Sequence, residues 1–200
     1  TGSIDASGGD IAIGVHTASY TGAVVVNNAG HIHAGDTNFA IGVLMEGIDG
    51  TNTLNNAATG WISADGEEGY AFAVMGSYAV DTINNSGHIT GAVALYAGDD
   101  VFNNRNGGVW STNGTHSSDF GDGNDTINNL AGGLIDIQTG AITMGAGNDT
   151  LANAGTVRIG TGGTISFGDG NDSLTNAAGG LIDVVGGTIA MEAGNDTITN

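Results

Sequence analysis

Apolar and polar residues alternate along short stretches of this chain, and these stretches return at a nearly constant spacing. The segment GDGNDTINN at 121–129 recurs as GAGNDTLAN at 145–153, GDGNDSLTN at 168–176 and EAGNDTITN at 192–200. Its aspartate falls at positions 125, 149, 172 and 196, which are intervals of 24, 23 and 24 residues. A period of this length is typical of a solenoid, in which each repeat forms one turn of a coil.

An asparagine column carries the repeat into the N-terminal half. An apolar residue, one variable residue and an asparagine recur together, and the column comprises Asn28, Asn56, Asn85, Asn104, Asn129, Asn153, Asn176 and Asn200. We expect these side chains to face inward at a turn. Each amide can then bond to the asparagine of the neighbouring turn and to backbone groups that lack a strand partner.

Each repeat contains three short pieces with the two-residue period of a β-strand. The first reads Asp-Thr-Ile-x-Asn, and the second follows a glycine, as in Gly133-Leu134-Ile135. The third alternates apolar residues, as in Ile142/Met144, with upstream copies expected at Ile11/Ile13 and Val93/Leu95. Gly, Asn and Asp between the pieces indicate turns. The pattern predicts an all-β fold, a right-handed parallel β-helix with three short strands per rung and about eight rungs.

The repeat is regular only in its second part. We interpret 1–200 as a single β-helix segment of a longer solenoid, with irregular rungs and longer loops over 1–116 and regular rungs of 23–24 residues over 117–200. Insertions between the second and third strands are expected at Ala34–Asn38, Ala64–Gly69 and Thr112–Ser117. Loops on one side of a solenoid are the usual binding elements. The same half gathers aromatic residues whose outward members can stack on sugars or contact a receptor: Tyr70, Phe72, Tyr78 and Tyr96.

The strand register makes a further prediction about charge. The residue after the inward apolar position of the second strand should point outward and stack between rungs, which aligns Asp136, Arg158 and Asp183. Side chains of opposite sign on neighbouring strands stabilise a sheet by a few tenths to about 1 kcal/mol. Arg158 is therefore interpreted as a structural residue.

The charge and composition of the chain exclude several classes of function. The chain has two basic residues against 21 Asp and Glu, and its net charge is −19. Nucleic-acid binding and binding to an anionic membrane surface are excluded, because both need clustered Lys or Arg. A disulfide scaffold is excluded because the chain has no Cys. No apolar stretch approaches the ~20 residues of a membrane helix, so direct membrane insertion is not expected.

The alternation of GAGNDTLANAGTVRIGTGGTI at 145–165 and GDGNDSLTNAAGGLIDVVGGTI at 168–189 resembles the passenger domains of bacterial autotransporters. The resemblance covers the whole chain as a solenoid, and it is best from about Asp81 onward. It implies a parallel β-helix that is exported to the cell surface, held at the outer membrane and most often adhesive. The membrane β-barrel that such proteins carry at their C-terminal end is not part of this sequence.

The motif GxGNDxφ, with φ an apolar residue, also resembles half of the calcium-binding nonapeptide of hemolysin-type (RTX) proteins. That resemblance implies calcium at the aspartate column of Asp81, Asp100, Asp125, Asp149, Asp172 and Asp196. Stacked carboxylates repel one another, and calcium accepts oxygen ligands at about 2.3–2.6 Å. The predicted ligands are Asp100, Asp122, Asp125, Asp149, Asp169, Asp172 and Asp196. The alternative is an Asx-type turn, in which each carboxylate accepts a backbone N–H.

Other polar groups of the sequence are candidates for metal binding or catalysis. His31 and His33 share an outward face, but a metal site would need a third ligand, so exposed surface histidines are the favoured interpretation for His16, His31, His33, His88 and His116. Asp99 with Asp100, or Asp65 with Glu67 and Glu68, could pair as acid and base. No nucleophile motif such as GxSxG occurs, and neither Arg105 nor Arg158 is suited to stabilise a substrate anion.

These patterns predict a secreted bacterial surface β-helix that serves as an adhesin or structural stalk and is not an enzyme. Its expected partner is a receptor or glycan on a host or neighbouring cell, bound through the upstream loops, and calcium is a candidate stabiliser. Two alternatives stay open. One is a polysaccharide-active enzyme such as a depolymerase or tailspike, and the other is an extracellular filament in which copies stack end to end.

Overall fold

The computed structural model describes residues 2–112 and 116–200, without the side chains of residues 36, 37 and 67–69. Every regular element in this part of the chain is a β-strand. In chain order the strands are β1 (Ser3–Ser7), β2 (Ile11–Ser19), β3 (Val24–Asn28), β4 (His31–Gly47), β5 (Thr51–Asn56), β6 (Trp61–Met75), β7 (Val80–Asn85), β8 (His88–Thr90), β9 (Ala92–Ala94), β10 (Val101–Asn104), β11 (Val109–Thr112), β12 (Ser118–Asp119), β13 (Thr126–Asn129), β14 (Leu134–Ile137), β15 (Gly140–Thr143), β16 (Thr150–Asn153), β17 (Thr156–Ile159), β18 (Gly163–Ser166), β19 (Ser173–Asn176), β20 (Leu181–Val184), β21 (Thr188–Ala190) and β22 (Thr197–Thr199).

The strands wind into a parallel β-solenoid of about eight turns with three strands per turn, as the repeat predicts. The first face is an eight-stranded parallel sheet of β3, β5, β7, β10, β13, β16, β19 and β22. The second and third faces are continuous as one 14-stranded sheet, because β4 and β6 run without a break from one face to the next. Within residues 2–112 and 116–200, no helix is long and apolar enough to cross a membrane.

The register between rungs confirms the expected stacking. Asp136 of β14 pairs with Arg158 of β17, which pairs in turn with Asp183 of β20. The guanidinium of Arg158 forms no ion pair with either carboxylate in the described structure. The alignment therefore places opposite charges side by side at the surface, where such pairs contribute little to stability.

One apolar core fills the coil along its length. Three of its largest fully buried side chains come from the three faces of one rung: Phe102, Trp110 and Phe120. The rings of Phe102 and Trp110 stack with centroids 4.4 Å apart, and the indole N–H of Trp110 donates to the carbonyl of Gly91 over 3.2 Å. The buried indole thus has its polar group satisfied, as buried Trp usually does.

The prediction that Ile11 and Ile13 point into the core is wrong. Ile11 is exposed, and Ile13 packs in a small apolar cluster on the outside of the coil. Val15 contacts the core instead, in register with Val43 of β4. The strands change face close to Gly42, where an added Cβ would lie 2.6 Å from the carbonyl oxygen of Ala73. Such an approach is open only to glycine.

The expected insertions are not simple loops. Ala34–Asn38 lies within β4 and Ala64–Gly69 within β6, where the chain stays extended. Register shifts between Ala34 and Phe39 accommodate the one additional residue that β6 has over β4 in this stretch. Thr112–Ser117 lies partly outside the described residues, which exclude 113–115. The upstream half therefore has broad, continuous strands where the sequence suggested protruding loops.

Candidate functional site

The aspartate column lies inside the coil at the entrance to the first face. Five of its members are at most 1% exposed: Asp81, Asp100, Asp125, Asp149 and Asp172. Asn52 holds the same position one rung before Asp81, and Val24 holds it one rung before Asn52. The column is therefore a stack of buried carboxyls that ends in an amide and then an apolar residue.

Each carboxyl joins two rungs. The backbone N–H of Asp100 donates to Oδ1 of Asp125 over 2.8 Å, and that of Asp125 donates to Oδ1 of Asp149 over 2.8 Å. The same bond links Asp81 to Asp100, Asp149 to Asp172 and Asp172 to Asp196. The carboxylates accept backbone N–H groups as the Asx-turn alternative proposed, but the donor belongs to the preceding rung.

The second carboxyl oxygen is buried without a partner in four members of the column: Asp100, Asp125, Asp149 and Asp172. The pKa of Asp100 is raised to about 8, mainly by burial; the hydrogen bond from the backbone of Asp81 opposes the rise, and the charges of Asp81, Asp125 and Asp99 add to it. Burial likewise raises the pKa of Asp125 to about 7 and that of Asp149 to about 6. The fold thus favours the neutral, protonated acid in the middle of the column.

Both carboxyl oxygens of Asp81 have a hydrogen-bond partner, unlike those of the four residues above. Its Oδ1 accepts from Nδ2 of Asn52 over 2.6 Å, and its Oδ2 accepts from the backbone N–H of Ser77 over 2.9 Å. Burial raises its pKa to about 6, and these two bonds oppose the rise. Hydrogen bonds to the ionised form therefore explain why Asp81 is less perturbed than Asp100.

The structure brings only part of the predicted calcium set together. Asp100, Asp125, Asp149, Asp172 and Asp196 follow one another in the column, whereas Asp122 and Asp169 are exposed and are separated by the rung of Ala146. Among the described residues, no group of three or more His, Asp or Glu side chains is placed to hold a metal ion. Calcium binding stays a prediction.

Asparagine ladders run beside the column. The predicted inner ladder is confirmed: Nδ2 of Asn129 donates to Oδ1 of Asn153 over 2.7 Å and to the carbonyl of Thr156 over 2.9 Å. A second, outward ladder joins Asn27, Asn55, Asn84, Asn103 and Asn128. A third starts at Asp99 and continues through Asn124, Asn148, Asn171 and Asn195. Sequence reasoning missed the last two, although the doubled Asn and the Asn-Asp pair were visible signals.

Of the two possible acid–base sets, Asp99 with Asp100 does not converge. Asp100 is buried whereas its neighbour Asp99 is exposed, since successive residues point to opposite sides. The side chains of Glu67 and Glu68 lie outside the described residues. Asp65 instead lies near His33, whose Nε2 is 3.6 Å from Oδ1 of Asp65 and whose Nδ1 is 3.0 Å from Oγ of Ser63. The Asp65 side chain is 74% exposed, so water screens its carboxylate.

Histidines and a tryptophan form an aromatic strip on the second face. His31, Trp61 and His88 occupy one outward position on three successive rungs. The ring of Trp61 lies 5.2 Å from that of His31 and 6.1 Å from that of His88. The structure confirms the shared outward face of His31 and His33, and it adds Trp61 between His31 and His88.

A groove of about 650 Å³ lies outside the third face of the irregular half. Leu44 and Met75 line its floor, and three tyrosines line its rim: Tyr20, Tyr78 and Tyr96. Tyr20 is 77% exposed, Tyr78 is 82% exposed, and the rings of Tyr78 and Tyr96 lie 6.0 Å apart. Sequence reasoning singled out Tyr78 and Tyr96 but missed Tyr20.

Tyr96 has an unusual backbone for its residue type. Its φ is 73°, in the left-handed region that favours glycine. The next three rungs have Gly121, Gly145 and Gly168 at this position, with φ between 91° and 107°. A bulky residue in this conformation costs on the order of 1–3 kcal/mol and persists where the surroundings impose it. Tyr96 thus has a strained backbone at the edge of an open groove, and Glu192, at the same position on the last rung, shares this conformation with a φ of 65°.

Comparisons with known proteins return no match: no family model, no curated protein and no solved structure is similar enough to this chain to be reported.

Proposed function

We propose that this chain is a segment of a secreted bacterial surface β-helix that acts as an adhesive rod, of the kind seen in autotransporter passenger domains. Residues 117–200 supply a regular coil, and residues 1–116 supply the contact surface. The rod is held at the outer surface of the cell and meets a receptor or glycan on a host or neighbouring cell.

The distribution of aromatic side chains carries this proposal. Every aromatic residue that is at least 41% exposed lies upstream of residue 97: Tyr20, Trp61, Tyr70, Tyr78 and Tyr96. The two aromatic residues of 117–200, Phe120 and Phe167, have no exposed surface. Exposed aromatic residues are enriched where proteins bind partners, because their rings supply contact area at a low entropic cost. The contrast between the two halves thus favours a binding half on a structural stalk.

Beads coated with the chain test the adhesive function. They should adhere to epithelial or bacterial monolayers above albumin-coated beads, and added soluble chain should compete. Adherence equal to that of albumin beads on every surface would contradict an adhesive role.

The two alternatives have their own assays. Release of reducing ends from a panel of polysaccharides would favour catalysis if the Asp65→Asn variant lost it. Fibres of the purified chain in electron micrographs would favour the filament alternative.

Calcium belongs to this proposal as a stabiliser of the aspartate column. Because the buried carboxyls have raised pKa values, calcium must displace their protons, and its effect should grow as pH rises. Calcium should raise the melting temperature at alkaline pH, a chelator should lower it, and magnesium serves as the control ion. An unchanged melting temperature in all three conditions would contradict calcium binding.

A further inference from the structure

We propose that the groove rimmed by Tyr20, Tyr78 and Tyr96 binds a neutral oligosaccharide. The proposal rests on the proposed function, because it assigns the adhesive contact to one site and one class of ligand. The other exposed aromatics, Trp61 and Tyr70, do not line this groove.

The lining of the groove combines apolar and polar surface, and a sugar ring does the same. The tyrosine rings, Leu44 and Met75 offer apolar surface, while the phenolic hydroxyls of the rim form no hydrogen bond within the described part of the chain. A pyranose ring has an apolar C–H face and a polar edge of hydroxyls. It can stack on a tyrosine ring and bond to its hydroxyl at the same time, which suits the apolar body and polar tip of Tyr.

Charge selects a neutral ligand. Glu46 is the one carboxylate among the lining residues, and it is paired with Nε2 of His16 at 2.7 Å. Neither arginine of the chain lines the groove, so an acidic sugar would meet no cation there. The net charge of −19 also repels acidic glycans and a second copy of this chain. An apolar peptide would bury the free hydroxyls without partners, which is unfavourable.

The dimensions suit a chain-like ligand. Tyr20 lies on the first rung and Tyr96 three rungs later, so at the usual strand spacing the rim extends about 14 Å along the coil. A short oligosaccharide laid parallel to the coil axis spans this distance. Tyr96 gives the groove an aromatic ring at a position where the three following rungs have glycine and the last has Glu192.

Binding to arrayed neutral and acidic oligosaccharides tests the proposal. Wild-type chain should bind neutral glycans and not acidic ones, and the strongest neutral glycan is then titrated by calorimetry. Tyr78→Ala should weaken this binding at least tenfold. Tyr70→Ala removes another exposed tyrosine, which lies outside the groove, and should bind like wild type.

Tyr96→Gly separates binding from folding. It restores the residue that the following rungs use, so its melting temperature should equal or exceed that of wild type while binding falls at least tenfold. A lower melting temperature with unchanged binding would overturn the proposal. So would preference for acidic glycans, binding unaffected by both variants, or an oligomeric state that changes with Tyr78→Ala. If beads still adhere after both substitutions, the groove assignment fails while the adhesive function stands. If wild-type beads adhere to nothing, the adhesive function fails.

Discussion

Asp125 has one carboxyl oxygen that is hydrogen-bonded and one that is buried without a partner. The folded state therefore accommodates the neutral acid better than the carboxylate. Burial raises the pKa of Asp125 to about 7, and the charges of Asp149, Asp99 and Asp119 contribute to the rise. In the unfolded chain the same group has its ordinary pKa of 3.8. The folded state thus binds more protons than the unfolded state between these values, and ionisation opposes folding.

Asp125→Asn should remove this penalty. The amide keeps the oxygen that accepts from Asp100, and its N–H groups can donate to the next rung as Asn52 donates to Asp81. We expect a melting temperature above that of wild type at alkaline pH and a smaller difference at acidic pH. Thermal unfolding followed by circular dichroism measures both.

The matched control for this substitution is Asp10→Asn, which changes an exposed carboxylate outside the column. It should leave the pH dependence of the melting temperature as in wild type. If Asp125→Asn retains the full wild-type pH dependence, the protonated column is not the correct description.

At the scale of single strands, β13 presents two asparagines with opposite orientations. Asn129 faces inward and bonds to Asn104, Asn153 and Thr156, while Asn128 faces outward and donates to Asn103. Asn129→Ala leaves buried polar groups of two neighbouring rungs unpaired, at about 1–3 kcal/mol for each such group. Asn128→Ala leaves its partner open to water and should cost less than about 1 kcal/mol.

Chemical denaturation of both variants compares the two positions directly. Both variants remove the same residue type from the same strand, so the change in strand propensity is the same in the two. Only the burial of the removed side chain differs. Equal losses in the free energy of unfolding would show that the inner ladder contributes no more than a surface contact.

Strand positions were predictable wherever one side chain repeats at a fixed period. The Asn column, the Asp column and the pairing of Arg158 with Asp136 and Asp183 followed from spacing alone, because each rung repeats the geometry of the last. Ile13 was misplaced because its strand changes face at Gly14, where an added Cβ would lie 2.6 Å from the carbonyl oxygen of Gly42 on the next rung. Tyr20 was missed because the groove depends on side chains from separate rungs.

The whole molecule combines a net charge of −19 with a row of carboxyls that fold best when neutral. Four members of the column have folded pKa values of about 6 to 8: Asp81, Asp100, Asp125 and Asp149. Each value lies above the ordinary 3.8, so the stability they contribute is fully present below about pH 4 and is lost as pH rises through the folded pKa values. Half-buried His116, whose pKa is lowered by partial burial, acts in the opposite direction but is a single group.

The melting temperature in chelator should therefore fall between about pH 5 and about pH 8, the range in which the column ionises. Added salt should raise it more at the alkaline end, because screening weakens repulsion among a larger number of charges. A triple variant with Asn at Asp100, Asp125 and Asp149 should lose most of the pH dependence while keeping the general effect of salt. A melting temperature that rises with pH in the wild-type chain would contradict a rod held together by neutral carboxyls.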